Sequence, residues 1–507
     1  MLVKAIQKIN HPTDDGELPS FVHPTLAENL SDLDLVDDCW EQLKGSAKEK
    51  HLPKEPGEPG AAYKNRVRRS SYPSFYRDGI IAFSGILSRY ELRKAPKSLV
   101  SAAQNIDGKG NSLKKWGMMA NCLGFRHGGC VLMADMPSGK SSSRADEIAT
   151  GRRPVLTMAE RRNVLNWEEE EVDGRMVPIR VTILEWHRVQ DGRYGVKLEP
   201  RYRVMEGGEW RLLEIRGTGG KDGFSVAQVE GEKGHGEFIG AGNRPLSYPP
   251  VCWYSHTGDS FGEGDIPMLS LANLSLDWFR SYSSLKELLN KCALPVTWLR
   301  DAARQEGVPL VLGSNSWVHL KDENSAIGFA EPSGSSLEQH LKHMEGIEKL
   351  IDKSTLAFMG EGTGGRTATE ALLDSAQLQA TITSSAESMS SAFETLFRLW
   401  GQFTGEVVQD GAGLDMLQGL TDKPVDDPLL QLASVLYDKG LLMRESVTHL
   451  AAKRGMLRPG VSAEDEAKAL AEEDAKREAL LNPPLPDEND PDQQDNTDAQ
   501  GLPLPKS

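Results

Sequence analysis

DIPMLSLANLSLDWFRSYSSLKELLNKCALP, residues 265–295, opens the stretch that decides the fold. Leu271, Leu274, Trp278, Tyr282, Leu285, Leu289 and Cys292 recur at three- and four-residue spacing, one apolar stripe of a long helix. Asp265 is its expected N-cap, Pro267 sits just inside the start, and Pro295 stops it. Short apolar runs at 310–312, 317–320 and 327–330 predict strands in the insert that follows. Ser335 and Glu338 form a capping-box pattern for a second helix, with Leu337, Leu341, Met344, Ile347 and Ile351 as its stripe. The loop Gly360, Glu361, Gly362, Thr363, Gly364, Gly365, Arg366 comes next. Thr367 and Glu370 repeat the capping box at the head of a third helix, which runs to about Trp400, or ~50 Å. Its expected buried stripe is Leu378, Ile382, Met389, Phe393, Leu396 and Trp400. A helix of that length is stabilised mainly by what packs on it. Helix, strand-bearing insert, helix, glycine loop and far longer helix suit a protein built from radial spokes around an axis.

Working outward, residues 30–43 predict a helix with Leu33, Val36, Trp40 and Leu43 inward, and PKEPGEP at 53–59 predicts a loop. Lys64, Arg66, Arg68 and Arg69 form a basic cluster, expected to be a solvated helix face or else a DNA or subunit contact. Leu113 to Phe125 is amphipathic and Cys130 to Ala134 reads as a buried strand. Strand-like runs at 155–158, 179–185, 201–205 and 210–215, punctuated by glycines, predict an antiparallel β-rich region. Residues 217–244 are glycine-rich and poorly patterned. Downstream, 429–436 and 444–453 predict a helical hairpin, 463–481 a charged helix, and 482–507 a disordered Pro- and Asp-rich tail.

The chain has 507 residues and a net charge of −16. Residues 464–507 hold 13 acids and four bases, net −9, so residues 1–463 carry only −7. A static DNA clamp would show a basic excess, since phosphate neutralisation supplies its affinity. Any DNA handled here is therefore expected to be held weakly. No apolar run approaches the ~18–20 residues of a membrane span, and the first residues lack a signal-peptide core, so an intracellular origin is expected. Five scattered cysteines without a CxxC pair predict buried thiols.

Two segments approach a phosphate loop. Ala134–Ser141 follows a strand and ends GKS, which would bring Lys140 to terminal phosphates; Pro137 removes one cradling N–H, and no apolar helix follows. Gly360–Thr367 opens a helix but follows another helix, and Glu361 would repel phosphate. Its glycines read better as a hinge permitting positive φ. His340 with His343, and His127 with Cys130, lack the further ligands of a metal site, so no metal and no cofactor are expected. Lys342, Lys349 and Lys353 lie on the polar side of the second helix, a solvated face or a line of weak phosphate contacts.

The order of features resembles the portal proteins of tailed bacteriophages. The matching residues are Tyr63-x-x-Arg66, Asn105-Ile106-Asp107 through Gly110-x-Ser112-Leu113, Gly128-Gly129 with the strand ending at Asp135, Arg153-Pro154, and Val164-Leu165-Asn166-Trp167. Ile266-Pro267-x-Leu269-x-Leu271-Ala272-x-Leu274 and Thr367-Ala368-x-Glu370 continue the series, which spans roughly residues 60–405. The short insert and the glycine-rich 217–244 segment depart from it.

The resemblance implies an α+β portal fold and a non-enzymatic ring, typically a dodecamer, at one capsid vertex. Double-stranded DNA of any sequence would pass through it during packaging and ejection. It implies a wing at 1–264, stem helices at 265–293 and 335–357, a clip at 294–334 and a tunnel loop at 358–366. A long kinked wing helix at 367–402 and a crown-like helical region at 403–481 complete it, with the tail at 482–507. Gly360 to Arg366 would line the channel constriction, with Lys342, Lys349 and Lys353 on the stem. Implied partners are further copies of the chain, the terminase large subunit, a head–tail adaptor and capsid or scaffolding proteins, with no membrane. The protein would reside in the virion, after assembly in the host cytoplasm. A P-loop ATPase of the packaging machinery and a non-channel capsid protein are the alternatives.

Overall fold

Helix α1 (Pro24–Trp40) begins with Pro24 in its first turn, and the ring of His23 accepts the Thr25 N–H at 3.3 Å. It buries Leu26, Leu33 and Val36, with Trp40 half-buried; Leu43 lies past its end in a left-handed conformation, yet is buried. The computed structural model describes residues 13–137, 152–172, 174–217, 224–230, 234–257, 260–293, 296–300, 326–330, 335–356, 368–416, 435–437, 439, 443–453 and 465–472. Two units are distinct, Met1–Met416 and Leu417–Ser507. The second contains α10 (Arg444–Lys453) and helical residues at 465–472, where helices are expected from the sequence.

The first unit is α+β. Helices α2 (Ala47–His51), α3 (Gly60–Arg69) and α4 (Phe75–Leu87) follow α1. After β1 (Tyr90–Arg93) and α5 (Lys97–Ala102) comes α6 (Leu113–His127), capped by Ser112 Oγ accepting from the Lys115 N–H. Gly128 ends α6 in the left-handed conformation, φ 77°, where only glycine avoids a Cβ penalty. A Cβ there would also meet the carbonyl of Asp265, so the same glycine lets the chain entering the next long helix pass closely.

Two antiparallel sheets stand at the centre. Strands β2 (Cys130–Asp135), β3 (Val155–Glu160) and β10 (Val251–Tyr254) form one, in the order β10-β2-β3. The other runs β4 (Val164–Val172), β5 (Arg175–Asp191), β6 (Gly195–Glu206), β7 (Glu209–Gly217) and β8 (Phe224–Gln228), with β9 (His235–Glu237) also on β7. The β-rich reading of 155–215 holds, but β5 is 17 residues long, far beyond its apolar core at 181–184. The segment 217–244, unpatterned in sequence, supplies β8 and β9.

The family of long helices is α7 (Leu269–Ala293), α8 (Ser335–Leu356) and α9 (Ala368–Thr404). Three details correct the sequence reading. Asp265 does not cap α7: the first turn forms at Pro267–Met268, and the helix begins at Leu269. The deepest face of α7 is Leu271, Ala272, Ser275, Leu276, Phe279 and Ser283, whereas Leu274, Trp278 and Tyr282 are half-buried and Leu289 is 44 % exposed. Sequence patterning missed this because the buried face includes two serines. Third, Leu341 is 46 % exposed, while Met344, Ile347 and Ile351 of the same expected stripe are buried.

Strand β11 (Val296–Arg300), which leaves α7, pairs antiparallel with β12 (Ala326–Ala330), which leads into α8. The expected strands at 310–312 and 317–320, the loops 138–151 and 360–366, and the tail 482–507 lie outside the described residues. Helix α9 buries Met389, Phe393, Leu396, Phe397 and Trp400 against α6, β2 and β10. Past its end the chain turns back, and β13 (Gly413–Met416) pairs with β1, so residues 403–416 belong to the same unit as α9.

The basic cluster at 64–69 is not uniformly solvated. Arg66 is buried, forks onto Glu58 at 2.8–2.9 Å and donates to the Pro53 carbonyl. Of the thiols, Cys39, Cys130 and Cys252 are buried and Cys122 half-buried, all free.

His256 stacks on Phe125 with centroids 3.8 Å apart and is buried. Burial pushes its pKa down to about 4, against a smaller upward pull from the Asn121 backbone. Its folded value lies below the unfolded one of ~6.5, so neutral His256 favours the fold above pH 6.5, and that advantage drains between pH 6.5 and 4. The loss is expected to reach about 3 kcal/mol. Urea midpoints measured across that interval should flatten in His256→Phe, which keeps the stack and cannot protonate.

Candidate functional site

Helix α7 is keyed into the body through polar contacts along one side. The Cys39 thiol faces the Ala272 carbonyl at 3.9 Å, and Arg280 donates to the His51 carbonyl at 3.1 Å. Ser283 and Ser70 hydroxyls meet at 2.8 Å, explaining the serine in the buried stripe. Arg69 pairs with Glu287 at 2.7 Å, and Lys286 donates to the Arg69 carbonyl. Burial then stops: Leu285 is buried and Leu289 is not.

Helix α8 returns antiparallel beside α7. Trp278 Nε1 donates to Glu348 at 2.8 Å, its ring stacks on Tyr282, and Phe75 meets it edge-on. Lys342, Lys349 and Lys353 are all exposed. At 100° per residue they fall within roughly 40° of one another, spread over ~16 Å of helix. Met344, Ile347 and Ile351 lie on the opposite side. The lysine line is therefore directed away from the packed face. It is also lightly charged, because α8 carries four carboxylates beside three lysines, and Lys342 pairs with Glu338 at 2.8 Å. Such a surface can touch phosphates along a helix without holding them, as a weak, sequence-blind contact requires.

The glycine-loop residues Gly360 to Arg366 and the phosphate-loop lysine Lys140 lie outside the described residues. His340 is half-buried and His343 exposed. Among the described residues no three His, Cys, Asp or Glu side chains gather to hold a metal, and no helix is long and apolar enough to cross a membrane. His127 and Cys130 do not act as a pair. The His127 ring meets Asp37 at 2.7 Å, while the Cys130 thiol faces the Ala120 carbonyl.

That contact belongs to a buried charge hub that no local pattern of residues signals. Asp37 of α1 accepts from Arg126 Nε at 2.6 Å, from His127, and from Arg162, which also reaches Asp34. Arg161 donates to the carbonyls of His127 and Gly264. Burial alone would push the Asp37 carboxyl up; His127, Arg126 and Arg162 overrule it and hold it well below the usual carboxylate range. The hub ties α1, α6 and the turn before β4 to the chain that enters α7. It is a positioning device: Asp37, Arg126, His127, Arg161 and Arg162 are buried, and only Asp34 reaches partly to the surface.

Residues 267–404, which span α7 to α9, match the model of a domain family of unknown function, DUF4055. No curated protein matches the chain. Among solved structures, a chain of the virion of a native gene transfer agent particle is 14 % identical, with a TM-score of 0.39, and the match covers 74 % of this chain and 88 % of that one. A chain of the neck of an empty gene transfer agent particle, computed with C6 symmetry, is 14 % identical with a TM-score of 0.39, covering 78 % and 92 %.

Proposed function

We propose that this chain is the portal subunit of a phage-like particle. Copies close into a ring at one capsid vertex, and the axis of the ring conducts double-stranded DNA during packaging and ejection. One observation carries the reading: an antiparallel helix pair, α7 and α8, leaves the body with a β11–β12 hairpin at its far end and a sparse lysine line directed away from its packed face. The order of sequence motifs from Tyr63 to Glu370 supports it independently. In this reading the α7–α8 pair is the stem, the hairpin the clip, and α9 the long wing helix. Gly360 to Arg366 form the narrowest point, with Arg366, Lys342, Lys349 and Lys353 touching phosphates in passing. The terminase large subunit and a head–tail adaptor dock in turn at the same vertex, within a shell of capsid and scaffolding proteins. In this reading the work is mechanical guidance of DNA and not catalysis.

Negative-stain images of the purified chain should show closed rings with a central hole; solid particles or a persistent monomer would sink the proposal. Replacing 360–366 by a shorter linker should leave those rings intact and lower packaged or retained DNA by about tenfold or more, the scale of one 1.4 kcal/mol step. Normal DNA content in that variant would remove the loop from the mechanism.

A further inference from the structure

The strand β5 is unusually long, and each of its ends forms a hairpin that extends beyond its sheet neighbours. At one end β4 and β5 pair from Glu168↔Arg180 to Val172↔Arg175. At the other, β5 and β6 pair from Trp186↔Pro200 to Asp191↔Gly195, while pairing of β6 with β7 ends at Tyr202. The two tips stand roughly 50 Å apart along the strand.

Their net charges are opposite: Glu168 to Glu171 outweigh Arg175 and Arg180 at the first tip, and Arg188, Arg193 and Lys197 outweigh Asp191 and Glu199 at the second. Four consecutive glutamates, Glu168 to Glu171, lie on β4, an outer strand of the sheet. Glu168 is used by Arg180 at 2.7 Å, but Glu170 and Glu171 are exposed, with no cationic partner among the described residues. Met176, opposite Glu171, is 61 % exposed. The other hairpin is a two-stranded ribbon whose residues 190–198 are all exposed. Cross-strand register puts Arg188 opposite Leu198 and Gln190 opposite Val196, so one face combines a cation with two aliphatic side chains. Tyr194 at the turn is 84 % exposed, with Arg193 over its ring. Lys197 is occupied by Glu199, whereas Arg188 and Arg193 have no carboxylate partner among the described residues.

A bare two-stranded ribbon is marginal in water, and exposed apolar side chains on one mark a contact surface. Acidic residues on an outer strand commonly serve only to repel edge pairing. That role alone leaves the basic, apolar ribbon unexplained. A cyclic assembly needs two different, mutually complementary patches on each subunit, because its contacts are heterologous. From the charge complementarity of these two tips we infer that the β5–β6 ribbon of one copy docks on the acidic β4–β5 hairpin of the next. Arg188 then faces Glu171 on the face that carries Met176, which Val196 and Leu198 cover, while Arg193 beside Tyr194 at the ribbon's turn reaches round the outer strand to Glu170 on its other face. The inference deepens the ring proposed above and rests on it for closure alone.

Arg188→Glu with Arg193→Glu, and separately Glu170→Arg with Glu171→Arg, test it, together with the four-residue swap. All four positions are exposed, and circular dichroism checks that each variant folds. Mass photometry should show the ring peak lost to monomer in either two-residue variant and restored in the swap; negative stain reports the central hole. Wild-type rings that survive both reversals would overturn the inference and leave the portal reading standing. Failure of the swap to restore assembly would likewise overturn it. Open chains without a central hole, dissolved by each reversal and restored by the swap, would uphold the contact and sink the portal reading. A wild type that stays monomeric at every concentration overturns both.

Discussion

Asp37→Ala is expected to cost the first unit about 3–5 kcal/mol, the scale for removing one partner of a buried ion pair. The side chain is 1 % exposed and accepts hydrogen bonds from three basic residues on two other segments, Arg126, His127 and Arg162. Its removal leaves two guanidinium groups buried with less compensation, Arg162 keeping Asp34 and Arg126 only the more distant Glu160 at 3.8 Å. The damage is greater than the loss of attraction, because desolvated cations remain. Asp37→Asn keeps one acceptor oxygen and should recover part of the loss. The pH dependence has a definite sign. Held below its unfolded value, the Asp37 carboxyl contributes its full stabilisation above about pH 4 and loses it only as stronger acid protonates the folded form. The His256 contribution drains first, between pH 6.5 and 4. Urea midpoints against pH should therefore fall in two stages, the lower stage vanishing in Asp37→Ala.

Trp400→Ala should be nearly as severe, about 3–5 kcal/mol for a fully buried indole. Trp400 sits in the last turns of α9 with no exposed surface, and its Nε1 donates to Ser98 Oγ at 2.9 Å. Phe393, Phe397 and Phe403 share that cluster with Leu99 of α5 and the back strand β13, through Leu414. The substitution opens a cavity where α9 is anchored to the body. If α9 is the helix that carries the glycine loop inward, loosening its anchor weakens the ring as well as the fold. Trp400→Phe fills most of the space and forfeits one hydrogen bond, so it should cost only about 1–2 kcal/mol. Chemical denaturation followed by tryptophan-independent circular dichroism separates the three proteins. Equal stability of Trp400→Ala and wild type would show that α9 is held elsewhere.

Periodicity alone was enough to read α6 to α9, because each repeats apolar residues over three or more turns and ends at a glycine or proline signal. Three things were not legible. The inward face of α7 lies one helical step from its apolar stripe, since Ser283 is buried against the Ser70 hydroxyl at the end of α3 and Ser275 is buried with its hydroxyl donating to the Leu271 carbonyl of its own helix. The lysine line was visible as charges, but its direction became definite only when Met344, Ile347 and Ile351 were seen packed on α7's side. The two hairpin tips lie outside the apolar runs that predict strands, because Glu168 to Glu171 and Arg188 to Leu198 carry no sustained apolar alternation, and only the pairing of β5 with β4 and β6 joins them into one sheet.

The sequence by itself determined the helix–insert–helix–loop–helix order, the weakly charged body and the acidic end of the chain, all local properties of spacing and composition. Only the tertiary structure decided which charges are buried and which are exposed. Arg66, Arg126 and Arg162 are spent inside the body on Glu58, Asp37 and Asp34, while Arg188, Arg193, Glu170 and Glu171 remain on the surface. The physical reason is that an ion pair depends on distance and desolvation, and these buried partners, as far apart as the 128 residues between Asp34 and Arg162, meet only once the chain has folded.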